Sequence, residues 1–172
     1  MNLKAHIRDI PDFPQKGILF KDLTTLFKHP EAFNKTIKRL ADRYKSFEFD
    51  TIVGIESRGF ILGSALSYAL NKGFIPLRKP GKLPGEVESV TYKLEYGTDI
   101  LEIHKDAFPR GTKVLLVDDI LATGGTALGG ATLIEKLGGE IVECCFIATL
   151  SSLPGEQRLQ SRGLNYFGLI NF

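Results

Sequence analysis

Two adjacent carboxylates and a run of small residues give this sequence its clearest chemical potential. In VLLVDDILATGGTA (114–127), Asp118 and Asp119 come straight after apolar residues. Ala122, Thr123, Gly124, Gly125 and Thr126 follow shortly. Small residues let backbone N–H groups close on a phosphate. A helix N-terminus adds partial positive charge, and the Thr hydroxyls add donors. The run is not the dinucleotide pattern G-x-G-x-x-G, and it lacks the Lys of a P-loop. One phosphate is therefore expected, and a side chain added at Gly125 is expected to block it. The acids would repel that phosphate, but they can accept hydrogen bonds from sugar hydroxyls, as an acid does toward a ribose diol. Phosphate cradle plus diol acceptors describes a ribose 5-phosphate site. Two plainer readings stay open on the pattern alone: a Mg²⁺-binding acid pair at a strand end, and an ordinary tight turn. Arg58, just after Glu56 and Ser57, is a further candidate. Its guanidinium offers a rigid fork for phosphate oxygens. The alternative, a surface Arg at a helix start, sets a cation against the helix dipole.

These groups need strands that end together. TIVGI (51–55) and KVLLVDD (113–119) read as buried strands, and each is followed by a helical pattern, over 58–71 and 126–137. FIPLR (74–78) and EIVECCFIATL (140–150) read as the next strands. Strands alternating with helices predict an α/β fold, a central and mainly parallel sheet flanked by helices on both faces. Such sheets bind ligands in the loops beyond the carboxyl ends of their strands. Phe33, Ile37, Leu40 and Tyr44, after Pro30, predict a helix that packs on the sheet and carries no chemistry. Two parts break the pattern. Residues 1–28 read as an irregular segment with Pro11, Pro14 and Gly17. Residues 79–112 open with KPGKLPGE and continue into SVTYKLEY and DILEIHK, an inserted β-hairpin lid with Gly97 near its turn.

The totals narrow the class. A chain of 172 residues suits a single domain spanning 1–172. Its 22 basic and 20 acidic residues give a net charge of +2, too balanced to argue for nucleic acid or an anionic membrane. No window approaches the roughly 18 apolar residues of a membrane span, and MNLKAHIRDIPDF lacks the apolar core of a signal peptide. Cys144 and Cys145 are neighbours, so on a strand they face opposite ways. They read as buried free thiols of a reducing, cytoplasmic compartment.

VLLVDDILATGGTA is similar to the phosphoribosyl pyrophosphate signature of the type I phosphoribosyltransferases. IPDFPQKGILFKDL, GIESRGFILG, RKPGKLPG and YKLEYGTDILEIHKDAF resemble the adenine-specific branch of that family, in order and over nearly the whole chain. The resemblance implies transfer of a 5-phosphoribosyl group from phosphoribosyl pyrophosphate to adenine, giving AMP and pyrophosphate. It implies Mg²⁺ bound mainly through the substrate, with no dedicated protein ligand set, and a homodimer. It gives Asp118, Asp119 and Ala122, Thr123, Gly124, Gly125 and Thr126 to the ribose 5-phosphate. Glu56, Ser57 and Arg58, with a cis peptide at 56–57, fall to pyrophosphate. Lys79 and Lys82 join them from a loop that reaches toward a partner's site.

The same resemblance makes residues 1–28 a hood over the base, with Leu19, Phe20 and Lys21 at adenine and Leu150 closing the pocket. An aromatic face stacks on a purine, and backbone groups pair its edge. Many relatives have Arg where Lys21 stands. Glu95 becomes the catalytic residue of the 79–112 loop and hairpin, with Tyr92 and Tyr96 beside it. That hairpin is expected to be exposed in the free protein and to close when both substrates are bound. A carboxylate there can stabilise charge that builds on the sugar, or manage a proton, while closure excludes water. Read by themselves, Phe20 is core, Lys79 and Lys82 are solvated charges, and Glu95 is strand surface. Two other functions remain: transfer to hypoxanthine, xanthine or orotate, and a non-catalytic regulator that binds the same donor. The LEYG hairpin and the IPDFPQKGILF segment favour adenine over another base, and the near-neutral charge and the Glu95 hairpin argue against the regulator.

Overall fold

The structure is a computed structural model that describes residues 1–94 and 97–172; Glu95 and Tyr96 lie outside the described residues. The chain opens with a 3-10 turn, Leu3–His6, then β1 (Arg8–Pro11), β2 (Leu19–Asp22), α1 (Thr24–Phe27) and α2 (Pro30–Tyr44). Next come β3 (Thr51–Ile55), α3 (Arg58–Leu70), β4 (Gly73–Leu77) and the pair β5 (Val87–Lys93) and β6 (Thr98–His104). It closes with β7 (Lys113–Leu121), α4 (Gly125–Lys136), β8 (Glu140–Thr149), α5 (Gly155–Ser161) and β9 (Tyr166–Asn171).

The apolar runs build a five-stranded sheet in the order β4-β3-β7-β8-β9, and every pairing in it is parallel. A strand covered on both faces is apolar at every position, and its residues alternate between two cores. On β7, Leu115 and Val117 enter a core shared with Leu40 of α2 and Leu62 and Leu66 of α3. Val114 and Leu116 enter the opposite core, with Leu133 and Ile134 of α4. The neighbouring thiols divide the same way. Cys145 joins the first core and Cys144 the second, and both are free and buried. Among the described residues no helix is long and apolar enough to cross a membrane.

Several elements differ from the expected pattern. Residues 1–28 are not irregular: β1 and β2 pair antiparallel, from Arg8 opposite Asp22 to Pro11 opposite Leu19. Four-residue strands rich in charge and proline leave no period to read. Strand β7 runs through both acids to Leu121, and α4 starts at Gly125. The elements α5 and β9 had no expectation. In α5 only Gly155 and Leu159 are buried, and β9 is a sheet edge whose residues are mostly half-buried.

The hairpin forms as expected, from Val87 opposite His104 to Lys93 opposite Thr98. Its described residues are not largely exposed, however. Tyr92, Leu101 and Ile103 belong to the same core as α4. Alternation in β5 and β6 gathers the apolar side chains on one face, and that face must be buried somewhere.

Candidate active site

Strands β3 and β7 run side by side and in parallel, so their carboxyl ends open together. Beyond β3 the Glu56–Ser57 peptide is cis, and Arg58 begins α3. On β7 each acid turns back onto the next backbone N–H. Asp118 Oδ1 accepts from the Asp119 N–H and Asp119 Oδ1 from the Ile120 N–H, both at 2.8 Å. The Asp119 side chain is 4 % exposed and pairs with the Arg58 guanidinium through Nε. The first turn of α3 presses on the same place. A β-carbon on Gly59 would lie 2.9 Å from the Val117 carbonyl and 3.0 Å from Asp118 Oδ1, so only Gly lets the helix start this close.

Burial, and then the neighbouring Asp119, hold the Asp118 carboxyl well above the usual carboxylate range. An acid raised in the fold contributes its stability fully below its unfolded value, and loses it as pH rises through the folded one. Above the ordinary carboxylate range, neutral pH included, keeping this carboxyl buried beside Asp119 therefore costs the free protein stability. We expect Asp118→Asn to stabilise the ligand-free chain at pH 7 by on the order of 1 kcal/mol, while binding ribose 5-phosphate more weakly, since an amide is the poorer acceptor. Thermal melting and calorimetry check both; a lower melting temperature with unchanged affinity contradicts it.

Carboxylates also hold the cations around the site. Lys79 Nζ pairs with Asp99 and donates to the Tyr92 hydroxyl oxygen at 3.1 Å. Glu56 accepts from the Lys79 backbone N–H at 2.6 Å and from Lys82 Nζ at 2.9 Å, with Arg78 Nε 3.4 Å away. Burial alone would raise the Glu56 carboxyl; these donors outweigh it and hold the group below its ordinary value. Glu56 thus orders the lysine loop. Tyr92 is buried, its ring packed where a β-carbon on Gly129 would lie 2.9 Å away.

The small-residue loop runs from the end of β7 into α4. Gly124 sits at φ +81°, a left-handed conformation that suits glycine. Gly125 behaves differently from the sequence expectation. A β-carbon there would point at the Lys93 carbonyl oxygen of β5, closer than any van der Waals contact allows. A side chain at Gly125 would therefore strike the hairpin, and Gly125 is not among the walls of the neighbouring cavity.

That cavity, about 370 Å³, brings most of the expected residues together. Its walls include Leu19, Phe20 and Lys21 of β2, Arg58, Asp118 and Asp119, the loop residues Ala122, Thr123, Gly124 and Thr126, and Leu150. The Phe20 ring meets Phe13 edge-on at 5.1 Å, and the Arg58 guanidinium lies 5.4 Å from its centre. Lys21 is turned to Asp9, its cross-strand neighbour, at 2.7 Å, with its ammonium over the Phe172 ring. Glu56, Ser57, Lys79, Lys82 and Tyr92 lie outside these walls. The expected Glu95 and Tyr96 lie outside the described residues. Sequence reading had not singled out Pro14, Gln15, Ile18, Ile120, Leu121, Ala127 or Leu153, which complete the lining. The first three stand inside IPDFPQKGILF, and that segment was their only signal.

A family model, the phosphoribosyl transferase domain, matches residues 22–169. The adenine phosphoribosyltransferase of Chlorobium phaeobacteroides strain DSM 266 is 56 % identical, over 100 % of this chain and 98 % of that one. The chain belongs to the adenine phosphoribosyltransferase family. Solved structures of adenine phosphoribosyltransferases agree with the fold. The enzyme from Thermoanaerobacter pseudethanolicus is 50 % identical with a TM-score of 0.95, over 99 % of this chain and 98 % of that one. The enzyme from Saccharomyces cerevisiae, solved with an imino-altritol bisphosphate and adenine, is 43 % identical with a TM-score of 0.89, over 97 % and 96 %. The family's architecture, a parallel sheet with helices on both faces, is the one described above.

Proposed function

We propose that this protein transfers the 5-phosphoribosyl group of phosphoribosyl pyrophosphate to adenine, releasing pyrophosphate and forming AMP, as a purine-salvage enzyme of the cytoplasm that works as a homodimer. One observation carries the reading: a glycine-bearing phosphate loop, two carboxylates and an aromatic face line a single cavity. The loop would take the 5-phosphate through backbone N–H groups and the α4 N-terminus. Asp118 and Asp119 would accept the ribose hydroxyls. Phe20, Leu19 and Leu150 would enclose the base, while Lys21 serves through its tie to Asp9.

The paired cations suggest how the donor binds. Arg58 is neutralised by Asp119, Lys79 by Asp99, and Lys82 by Glu56. A pyrophosphate offers Arg58 a second anion and frees Asp119 to meet a hydroxyl. Mg²⁺, carried by the donor's phosphates, would neutralise the leaving pyrophosphate. In the reaction the C1–O bond to pyrophosphate breaks, a ring nitrogen of adenine bonds to C1, and that base loses a proton. Glu95 is assigned to the charge or the proton of this step.

Phe20→Ala should raise the Michaelis constant for adenine roughly tenfold or more, since a stacking face contributes about 1–3 kcal/mol, and leave that for the donor nearly unchanged. Steady-state kinetics with each substrate varied in turn checks this. Equal adenine dependence in the variant and the wild type would make Phe20 core alone. The overall reading is tested by chromatographic detection of AMP formed from adenine and donor with Mg²⁺; no AMP from folded protein rejects it.

A further inference from the structure

The phosphate loop leans on α5, an element with no assigned role. Two successive loop carbonyls are taken by it. The Gly155 N–H donates to the Ala122 carbonyl at 3.0 Å, and Arg158 Nη1 donates to the Thr123 carbonyl at 2.7 Å. The contact is backbone on backbone. A β-carbon on Gly155 would run into the Ala122 carbonyl oxygen, and one on Gly124 would lie 3.0 Å from the Gly155 Cα. Leu159, fully buried, fixes α5 in the core behind the loop.

This arrangement decides which way the loop donates. In a trans peptide the C=O and the following N–H point in opposite directions. With the Ala122 and Thr123 carbonyls turned to α5, the N–H groups of Thr123 and Gly124 are turned away from it. Both residues are walls of the cavity. Arg158 also brings a permanent cation behind the start of α4. Its Nη1 lies 3.9 Å from the place a Gly125 β-carbon would occupy.

We infer that Arg158 is a positioning residue for phosphate recognition: by holding the Thr123 carbonyl it aims the Gly124 N–H at the 5-phosphate and supports that charge from behind. This rests on reading the loop as the ribose 5-phosphate site. A hydrogen bond to a charged group is the usual size of about tenfold in affinity, and that sets the expected effect.

The test compares wild type, Arg158→Met and Arg158→Lys by calorimetry with AMP, ribose 5-phosphate and adenine, and by kinetics with each substrate varied. Arg158→Met should bind AMP and ribose 5-phosphate roughly tenfold more weakly and raise the donor's Michaelis constant likewise. Adenine should bind within twofold of wild type. Arg158→Lys, which restores the charge, should recover part of the loss. A purely structural role would lower the melting temperature and touch both substrates alike or neither; either result overturns the inference. Should Arg158→Met not fold, Arg158→Lys decides: weaker binding of the phosphate ligands alone supports the inference, and wild-type affinity for all three overturns it. Failure of wild type itself to bind ribose 5-phosphate and AMP would instead reject the reading of the loop.

Discussion

Glu95→Ala is expected to lower turnover by a factor on the order of 10² to 10⁴, the range for a positioned acid–base group, with little change in the affinity for AMP. An interaction made only in the transition state lowers turnover and specificity together and leaves ground-state binding alone. The surroundings favour this role. Strand β5 carries the described chain to Lys93, whose carbonyl lies against Gly125 in the small-residue loop. Leaving pyrophosphate puts positive charge on the sugar, and a carboxylate delivered there can stabilise it. Glu95→Gln keeps the shape and loses the charge, so it should be impaired almost as far. If Glu95 were a solvated surface residue, both variants would be active within about twofold and their stability would shift by at most about 0.5 kcal/mol. Steady-state kinetics on folded protein separates the two outcomes.

Gly125→Ala should reduce turnover about 10²-fold, the scale of a displacement near 1 Å in a catalytic group. The added methyl would meet the Lys93 carbonyl, and it is the hairpin that must yield. That hairpin is a two-stranded sheet of its own, joined beside the edge strand β4 by the Arg78–Glu102 bridge, so the five-stranded sheet should survive. Binding of ribose 5-phosphate should fall far less than turnover, since the added methyl meets the hairpin and leaves the backbone N–H groups of the loop free. This separates it from a change such as Arg158→Met, in which phosphate affinity drops first. Equal losses of turnover and of ribose 5-phosphate affinity would show that Gly125 faces the phosphate after all.

The central sheet was legible because β3, β7 and β8 are buried on both faces, and double burial writes a continuous apolar run into the sequence. The acids and the small-residue loop were legible for the opposite reason: such residues at the end of an apolar strand have little structural purpose. The hood was harder. Strands of four residues such as RDIP and LFKD hold no measurable period, and their pairing is set by the turn and by contacts such as Arg8 with Asp22. Helix α5 was hidden because its importance lies in Gly155 and Arg158, whose partners are backbone carbonyls far along the chain. A side chain that bonds to a carbonyl leaves no complementary residue type to recognise. The aim of Gly125 was misread for a related reason. A glycine shows that a β-carbon is unwelcome and does not show from which side, and only the approach of Lys93 supplies that. The packing of Tyr92, Leu101 and Ile103 beneath the hairpin was visible as alternation, yet the expectation of an exposed lid passed over it.

The most direct test of the account is pyrophosphate release from phosphoribosyl pyrophosphate and Mg²⁺, measured with adenine, hypoxanthine and guanine in parallel at equal concentration. The proposed enclosure of the base between Phe20 and Leu150, in a chain of the adenine family, predicts release with adenine at a specificity constant at least about 10²-fold above either other base. That is the discrimination expected when a mismatched purine edge leaves buried polar groups unpaired. Release with hypoxanthine or guanine equal to or above that with adenine, or no release with any base from protein that binds the donor, would contradict it.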